Sequence, residues 1–346
     1  MSDEDGVVRG SGTGRGAPAP RYTVSLGFGI AVLLGVFVAL TIAPSGGVFE
    51  PEPLVHFGRP AASAVLHAAA VAAVGLSLLP LLIGLDRAQA AEPVLRKVRP
   101  IAAVASAVWA VAALITLVLQ AAELYRSSQL DLAAIGTYVA EVNAGKALVA
   151  VVALALLHTV LGVLAVRRGE RIPAELRAGL GVFALLPLPV TGHAASSEWQ
   201  DITLVSIELH VLAAVAWAGG LAAVAVFLAN NRTLLAHTLP RFSRLAAACL
   251  AVVTLTGVVN GGTELLTTPT REFWAALFGT GYGQLVLLKL GCVLVIAALA
   301  ANIRVRLLPA IERHKRTALA GWVTLELTVL GLAFGVATVL SRTPFS

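Results

Sequence analysis

Charged residues are scarce in this chain. Asp, Glu, Lys and Arg make up only 13% of its 346 residues, against a hydrophobic fraction of 58%. A soluble domain of this length carries roughly twice that charged fraction. The apolar residues also occur in runs of about 20, which is the length that a bilayer requires of a helix. Open sheet edges and loops would lack hydrogen-bond partners in lipid, so the composition predicts an all-α, polytopic membrane protein.

Sulfur is scarce as well. The two cysteines, Cys249 and Cys292, lie inside apolar runs and form no CxxC pair, which argues against a disulfide framework. Met1 is the only methionine, so no apolar run contains a thioether, which is a common soft-metal ligand. The chain also lacks a P-loop, a GxSxG and an HExxH motif. We therefore predict that it is not an enzyme and that any transport is not powered by ATP on this chain.

Nine apolar runs follow an N-terminal tail (residues 1–21) that is rich in Gly, Ser, Pro and charge and is predicted to be disordered. The fifth run is short and contains Pro187 and Pro189, which predict a kink or an early end. We expect about nine membrane spans, near residues 23–43, 60–85, 100–123, 140–166, 178–194, 202–229, 244–262, 282–308 and 320–340.

The basic residues predict the orientation of these spans. Nineteen of the 25 Lys and Arg residues fall in alternate loops that include the N-terminal tail, and only four fall in the loops between them. Cytoplasmic loops carry the excess of Lys and Arg, so the N-terminus is predicted inside and the C-terminus outside. Basic residues spread over five short segments, without interleaved aromatics, also argue against nucleic-acid binding.

Three histidines are predicted near the outer ends of their spans: His67, His193 and His210. Neutral imidazole suits copper and zinc, so the three could form a metal site. Alternatively, each could make one interhelical hydrogen bond. His158 is predicted in the inner half of its span, where it serves packing or a separate site.

Other polar side chains within the spans could line a path. Glu208 and His210 point to different faces of one helix, and Lys289 is a plausible counter-ion for Glu208. Asn260 and Glu264 share a face at an outer helix end, where they either line an entrance or simply meet water. Glu326 is predicted to be a structural interhelical partner, with a proton relay as the alternative.

Binding of a soft metal ion or helix packing is predicted for the remaining candidates. Cys292 and Cys249 could bind Cu(I), although buried cysteine is more often a small hydrophobe. Trp217 with the two glycines that follow at Gly219 and Gly220 favours close helix packing.

Five segments, in order, give the second half of the chain its family resemblance. The motifs are Gly192-His193-Ala194, Glu208-Leu209-His210 through Trp217-Ala218-Gly219-Gly220, Arg241-Phe242-Ser243 with Thr256-Gly257 to Asn260, Tyr282-Gly283 with Lys289, and Ala301-Asn302-Ile303-Arg304, with Glu326 in the last span. Through these motifs, residues 185–340 resemble the copper-resistance D (CopD/PcoD-like) family of bacterial inner-membrane proteins. We accordingly divide the chain into the tail, an N-terminal four-helix membrane region (22–176) and a copper-resistance-D-like membrane domain (177–346).

The resemblance implies copper transport, or copper handling, across the bacterial inner membrane. It favours His193 and His210 as ligands. It also implies a separate periplasmic copper-binding partner of the copper-resistance C type. The absence of Met from the spans departs from methionine-rich relatives and excludes a Met-lined Cu(I) path.

Two other functions stay open at this point. A haem-binding electron-transfer protein would need two facing histidines at one depth, for which His67 and His210 are the best pair. A copper-delivery or oxidase-assembly factor would need the same outer copper site without transport.

Overall fold

The computed structural model describes residues 21–42, 53–125, 131–191, 200–266, 272–309 and 319–340, and these ranges contain helices and no strand. The α-helices are α1 (Arg21–Ile42), α2 (Pro53–Ile83), α3 (Ala88–Tyr125), α4 (Leu132–Glu141), α5 (Asn143–Arg168), α6 (Ala174–Phe183), α7 (Gln200–Leu228), α8 (Arg232–Leu266), α9 (Phe273–Gly279), α10 (Gly281–Asn302) and α11 (Leu319–Leu340). A π-helical turn (Ile303–Leu307) extends α10. The predicted all-α fold is confirmed.

Seven helices in the described ranges are long and apolar enough to cross a membrane: α2, α3, α5, α7, α8, α10 and α11. The protein is therefore a multi-pass membrane protein. α1 coincides with the first predicted span, and Gly27–Ile42 is its apolar part among the described side chains. The total of nine spans and their orientation stay predictions.

The fifth predicted span is not one continuous helix. α6 ends at Phe183, and the chain continues through tight turns into a 3-10 helix at Leu188–Thr191. Pro187 and Pro189 cannot donate backbone hydrogen bonds, so an α-helix cannot continue through them unbroken. The predicted early end of this helix is confirmed.

α2 lies at the centre of the bundle, in contact with α3, α6, α7 and α8. α3 packs on α5, α7 packs on α8, and α1 pairs with α11, which also contacts α10. One large apolar core joins these helices and includes the fully buried Trp109 and Trp217. The two halves of the chain thus share a core.

The two halves approach each other closely where α2 meets α7. A Cβ atom on Gly219 would overlap the carbonyl oxygen of Val71 and lie 2.8 Å from the Cα atom of Gly75. A Cβ atom on Gly75 would likewise overlap the backbone of Gly219. Both positions require glycine because the two backbones touch, as in small-residue contacts between membrane helices.

The contacts of α8 show that α2 and α7 run parallel. Arg241 Nη1 on α8 donates to the carbonyl oxygen of Ile83, at the end of α2, over 2.9 Å. His210, near the start of α7, contacts Thr256 on α8. Thr256 and Arg241 are 15 residues apart, about 22 Å along a helix. The end of α2 therefore lies far from the start of α7, on the other side of the glycine contact.

His158 holds four helices of the bundle together. Its Nδ1 atom lies 2.7 Å from Ser106 Oγ on α3, and its Nε2 atom lies 3.2 Å from Ser77 Oγ on α2 and 3.1 Å from the carbonyl oxygen of Arg177 on α6. Only 2% of His158 is exposed. This environment matches the packing interpretation of His158.

We predict that Gly219→Ala destabilises the protein while Gly291→Ala does not. The added methyl group at 219 meets backbone atoms that cannot rotate away, and such overpacking typically costs about 1–3 kcal/mol. Gly291 has open space around its Cβ position, so alanine there should be neutral or slightly stabilising. Thermal unfolding of the purified variants in detergent checks this, and equal melting temperatures for both would contradict the close contact.

Candidate functional site

His210 is buried between α7 and α8, with 8% of its surface exposed. Its Nδ1 atom lies 2.9 Å from Thr256 Oγ1. The Thr256 hydroxyl donates its one hydrogen to the carbonyl oxygen of Val252, 2.6 Å away, so it can only accept from His210. Nδ1 therefore carries the imidazole hydrogen, and Nε2 carries the lone pair.

This arrangement matches a metal-ligating histidine. Such residues almost always donate the N–H of the non-ligating nitrogen to a protein acceptor, which fixes the ring and the tautomer. Ser206 Oγ, one turn from His210 on α7, also donates to the carbonyl oxygen of Thr256 over 3.4 Å. Both side chains therefore fix α7 against α8 at the level where Nε2 is presented.

Lys289 on α10 completes what we call the outer polar cluster: Ser206, His210, Thr256 and Lys289. Its ammonium group is close enough to oppose a positive charge on the imidazole of His210. Within the described ranges, Lys289 forms no ion pair with a carboxylate. A cation that binds at His210 would therefore feel the repulsion of the Lys289 charge.

Asn260 lies one turn from Thr256 towards the C-terminal end of α8, which is its predicted outer end, and on the same face. Both polar atoms of its carboxamide are buried and make no hydrogen bond to any residue in the described part of the chain. Buried polar atoms of this kind are rare and call for a functional or solvent partner. Glu264 lies one turn further out, near the hydroxyl of Tyr282. The polar face of α8 thus runs from Glu264 through Asn260 to Thr256, which contacts His210 on α7.

His67 lies on α2 at nearly the same depth as His210. It is eight residues before Gly75, and His210 is nine before Gly219, which places both about 12–13 Å from the helix contact. The Nδ1 atom of His67 lies 2.6 Å from the carbonyl oxygen of Ser63. A carbonyl only accepts, so here too Nδ1 carries the hydrogen and Nε2 the lone pair.

The two histidines nevertheless lie on different sides of α7. Nine residues make two and a half turns of a helix, so residues nine apart lie on opposite faces. His210 therefore faces away from Gly219 and α2, towards α8. Glu208, eleven residues before Gly219, shares the α2-facing side instead. The expected pair of Glu208 with Lys289 does not form in the described residues. The pair does not form because Lys289 lies near His210, on the opposite side of α7 from Glu208.

His193 lies outside the described residues, so its position relative to His67 and His210 stays a prediction. Among the residues that the structure describes, no three His, Cys, Asp or Glu side chains come together as a metal-binding group. The three-histidine site therefore also stays a prediction. The structure assigns a defined environment to one of its members, His210.

A second polar level lies further in. Trp217 is two turns from His210 on α7, and Cys249 is two turns from Thr256 on α8; both are buried. The indole N–H of Trp217 is the polar group nearest to the carboxyl group of Glu326 on α11. Its Nε1 atom makes no hydrogen bond in the described residues. Cys292, also buried, lies one turn beyond Lys289 on α10. The candidates thus occupy two levels along α7.

Sequence reasoning missed Thr256 and Ser206 as functional residues. A threonine in an apolar helix commonly bonds to its own backbone and carries no distinctive signal. One signal was available, because Thr256 precedes Asn260 by four residues within the quoted motif and therefore shares its face.

Comparison with known proteins gives this arrangement a context. Residues 54–200 match the family described as "Copper resistance protein D-like, N-terminal domain". Residues 236–340 match "Copper resistance protein D". Together these matches cover more than half of the chain and include both His67 and Lys289.

A curated relative is also similar. "Copper transport protein CutJ" of Bacillus subtilis (strain 168) is 32% identical over 122 residues, which are 34% of this chain and 21% of the relative. The aligned part thus spans about a fifth of the relative's length. No solved structure matches.

The two family matches follow each other along the chain in the order of its two halves, and the second covers Asn260, Lys289 and Glu326. They also extend the resemblance to the first half, which had shown it only in hydropathy. The chain belongs to the copper resistance protein D-like family.

Proposed function

We propose that the protein moves copper across the bacterial plasma membrane, with His210 Nε2 as a ligand at the outer level of the path. The supporting observation is the fixed tautomer of His210, whose Nδ1–H is donated to Thr256. The family match and the similarity to a copper transport protein favour copper as the cargo.

The path that we propose follows the polar face of α8. Asn260 and Glu264 lie at its outer end, and His210 takes the ion one to two turns further in. His193 and His67 are the proposed co-ligands; His67 would approach from α2 after a local rearrangement, because His210 faces α8. The ion then passes the level of Trp217, without ATP hydrolysis and without an enzymatic step. A separate periplasmic partner of the copper-resistance C type stays a prediction.

Lys289 would help this site to release copper. A transport site must bind an ion strongly enough to take it up and weakly enough to let it leave. The Lys289 ammonium group, next to His210 and without a carboxylate partner in the described ranges, weakens cation binding. Its role would be to keep the copper affinity moderate.

A haem-binding electron-transfer function is less well supported. Axial ligation by two histidines requires their rings to face each other at one depth. His67 and His210 share a depth, but His210 faces α8 rather than α2. A copper-delivery role without transport remains compatible with the same outer site, and flux through liposomes separates it from transport.

The first prediction tests the ligand itself. His210→Ala should abolish copper accumulation in cells that express the protein, and Thr256→Val should weaken copper binding by about 10- to 100-fold, as is typical when the hydrogen-bond partner of a ligating histidine is lost. Copper accumulation in cells and competition with a chelator on purified protein measure the two effects.

The matched control for Thr256→Val is Thr254→Val. Thr254 lies on the same helix, is exposed, and bonds only to the carbonyl oxygen of Leu250 on its own helix. It should accumulate and bind copper as the wild type does. Wild-type copper uptake by His210→Ala would overturn the proposal.

The second prediction concerns Lys289. Lys289→Leu removes the nearby charge without adding a metal-ligating atom, so it should tighten copper binding by about tenfold or more, given the strength of charge interactions at short range in proteins. Lys289→Arg keeps the charge and should bind copper as the wild type does. Weaker binding by Lys289→Leu would mean that the amine assists the site rather than opposing a cation; a chelator competition series measures this.

The third prediction tests orientation. Alkaline phosphatase is active only outside the cytoplasm, so a fusion after Ser346 should be active and a fusion after Lys315 inactive, since the loop that holds Arg313, Lys315 and Arg316 is predicted to be cytoplasmic. Enzyme activity in whole cells measures both. The reverse pattern would invert the topology and place His210 near the cytoplasm.

A further inference from the structure

Glu326 is a carboxyl group buried deep in the bundle. It lies on α11, seven residues after Leu319, and only 2% of it is exposed. Its neighbours on the same helix, Val323, Leu327 and Leu330, belong to the main apolar core. The polar group that it meets is the indole N–H of Trp217 on α7.

No positive charge is paired with Glu326 in the described residues. α11 packs against α1, α10, α7, α2 and the π-helical turn. From Thr23 onwards α1 carries no titratable side chain. The other neighbours offer the following groups, none of which forms an ion pair with Glu326: Tyr282, Lys289 and Cys292 on α10, Asp201, Glu208 and His210 on α7, Arg59 and His67 on α2, and Arg304 and Arg306 in the π-helical turn.

An ionised carboxylate in such a place is costly. Burying an unpaired charge costs several kcal/mol or more, and a buried carboxyl group keeps its proton to avoid that cost. One indole donor offers a single hydrogen bond, which does not replace a counter-charge. Glu326 is therefore neutral in this arrangement, with the Trp217 indole as its polar neighbour.

The position of Glu326 connects it to the proposed path. Trp217 and His210 are seven residues apart on α7, which places them on the same face about 10 Å apart. A cation that has left His210 and moved inward along α7 therefore reaches the level of Glu326. A cation at this level lowers the cost of the carboxylate, and a carboxylate lowers the cost of the cation.

We propose that Glu326 is a proton-binding site that exchanges its proton against the copper ion. The inference rests on the proposed function. When the cation reaches the Trp217 level, the O–H bond of Glu326 breaks and the proton leaves to water on the side that is open. When the cation departs, the carboxylate regains a proton. No electron is transferred, and with Cu(I) as the ion the charge buried at this level stays constant.

The test uses the full-length protein in liposomes that contain an entrapped pH dye, with copper ions added outside. Wild-type copper uptake should be accompanied by proton movement in the opposite direction, and its rate should vary with pH. Glu326→Gln keeps the size of the side chain and an acceptor for the Trp217 N–H but cannot ionise. It should show no proton movement coupled to copper.

Glu326→Asp is the matched control, since it keeps the ionisable group and should retain proton movement. A purely structural Glu326 would instead let Glu326→Gln move protons with copper as the wild type does, and that result would overturn the proposal. If the wild type moves copper without protons, this inference fails while the proposed function stands. If the wild type moves no copper into liposomes, the proposed transport fails.

A measurement on the wild type avoids any folding defect of the variants. The infrared band of a protonated carboxyl group should be present without copper and should decrease when copper is added. Glu326→Gln should lack the copper-dependent part of that band. An unchanged band in the wild type would overturn the exchange.

Discussion

The contact between α2 and α7 at Gly75 and Gly219 sets the position of everything else in the bundle. The two backbones touch there, which joins the half of the chain that matches the N-terminal family domain to the half that carries His210. Because hydrophobic attraction between helices is weak in lipid, close packing of small residues and interhelical hydrogen bonds must hold such a junction. The contact also fixes the relative depth of α2 and α7, and with it the common level of His67 and His210.

Polar side chains tie the remaining helices together around this junction. Near the start of α3, Arg99 donates to both carboxylate oxygens of Glu92 and to Glu170, each over 2.7 Å, so that α3 is fixed to the turn after α5. Near the C-terminal end of α3, Arg59 pairs with Glu123. Each of these arginines has a carboxylate partner. The outer polar cluster differs because Lys289 lacks such a partner in the described residues.

The fold could be predicted from the sequence because the bilayer imposes one length and one kind of helix on each span. Pro187 and Pro189 likewise predicted a kink or the early end of α6. Pairings between helices could not be predicted, because they depend on rotation about each helix axis. Glu208 and His210 are two residues apart, yet one faces α2 and the other faces α8. That rotation removed the expected Glu208–Lys289 pair and brought Lys289 near His210 instead. The role of Thr256 depends in the same way on which helix stands opposite it.

The broken helix before α7 has a consequence for how water meets the bundle. α6 contains ten residues, about 15 Å of helix, or half the thickness of the hydrocarbon core. Turns and a short 3-10 helix complete the rest, in contact with α5 and α7. Backbone groups in such a stretch cannot face lipid and must meet protein or solvent. The backbone beside α7 is therefore held by protein or water rather than by lipid, which gives this side of the bundle polar groups that an unbroken helix would pair within itself.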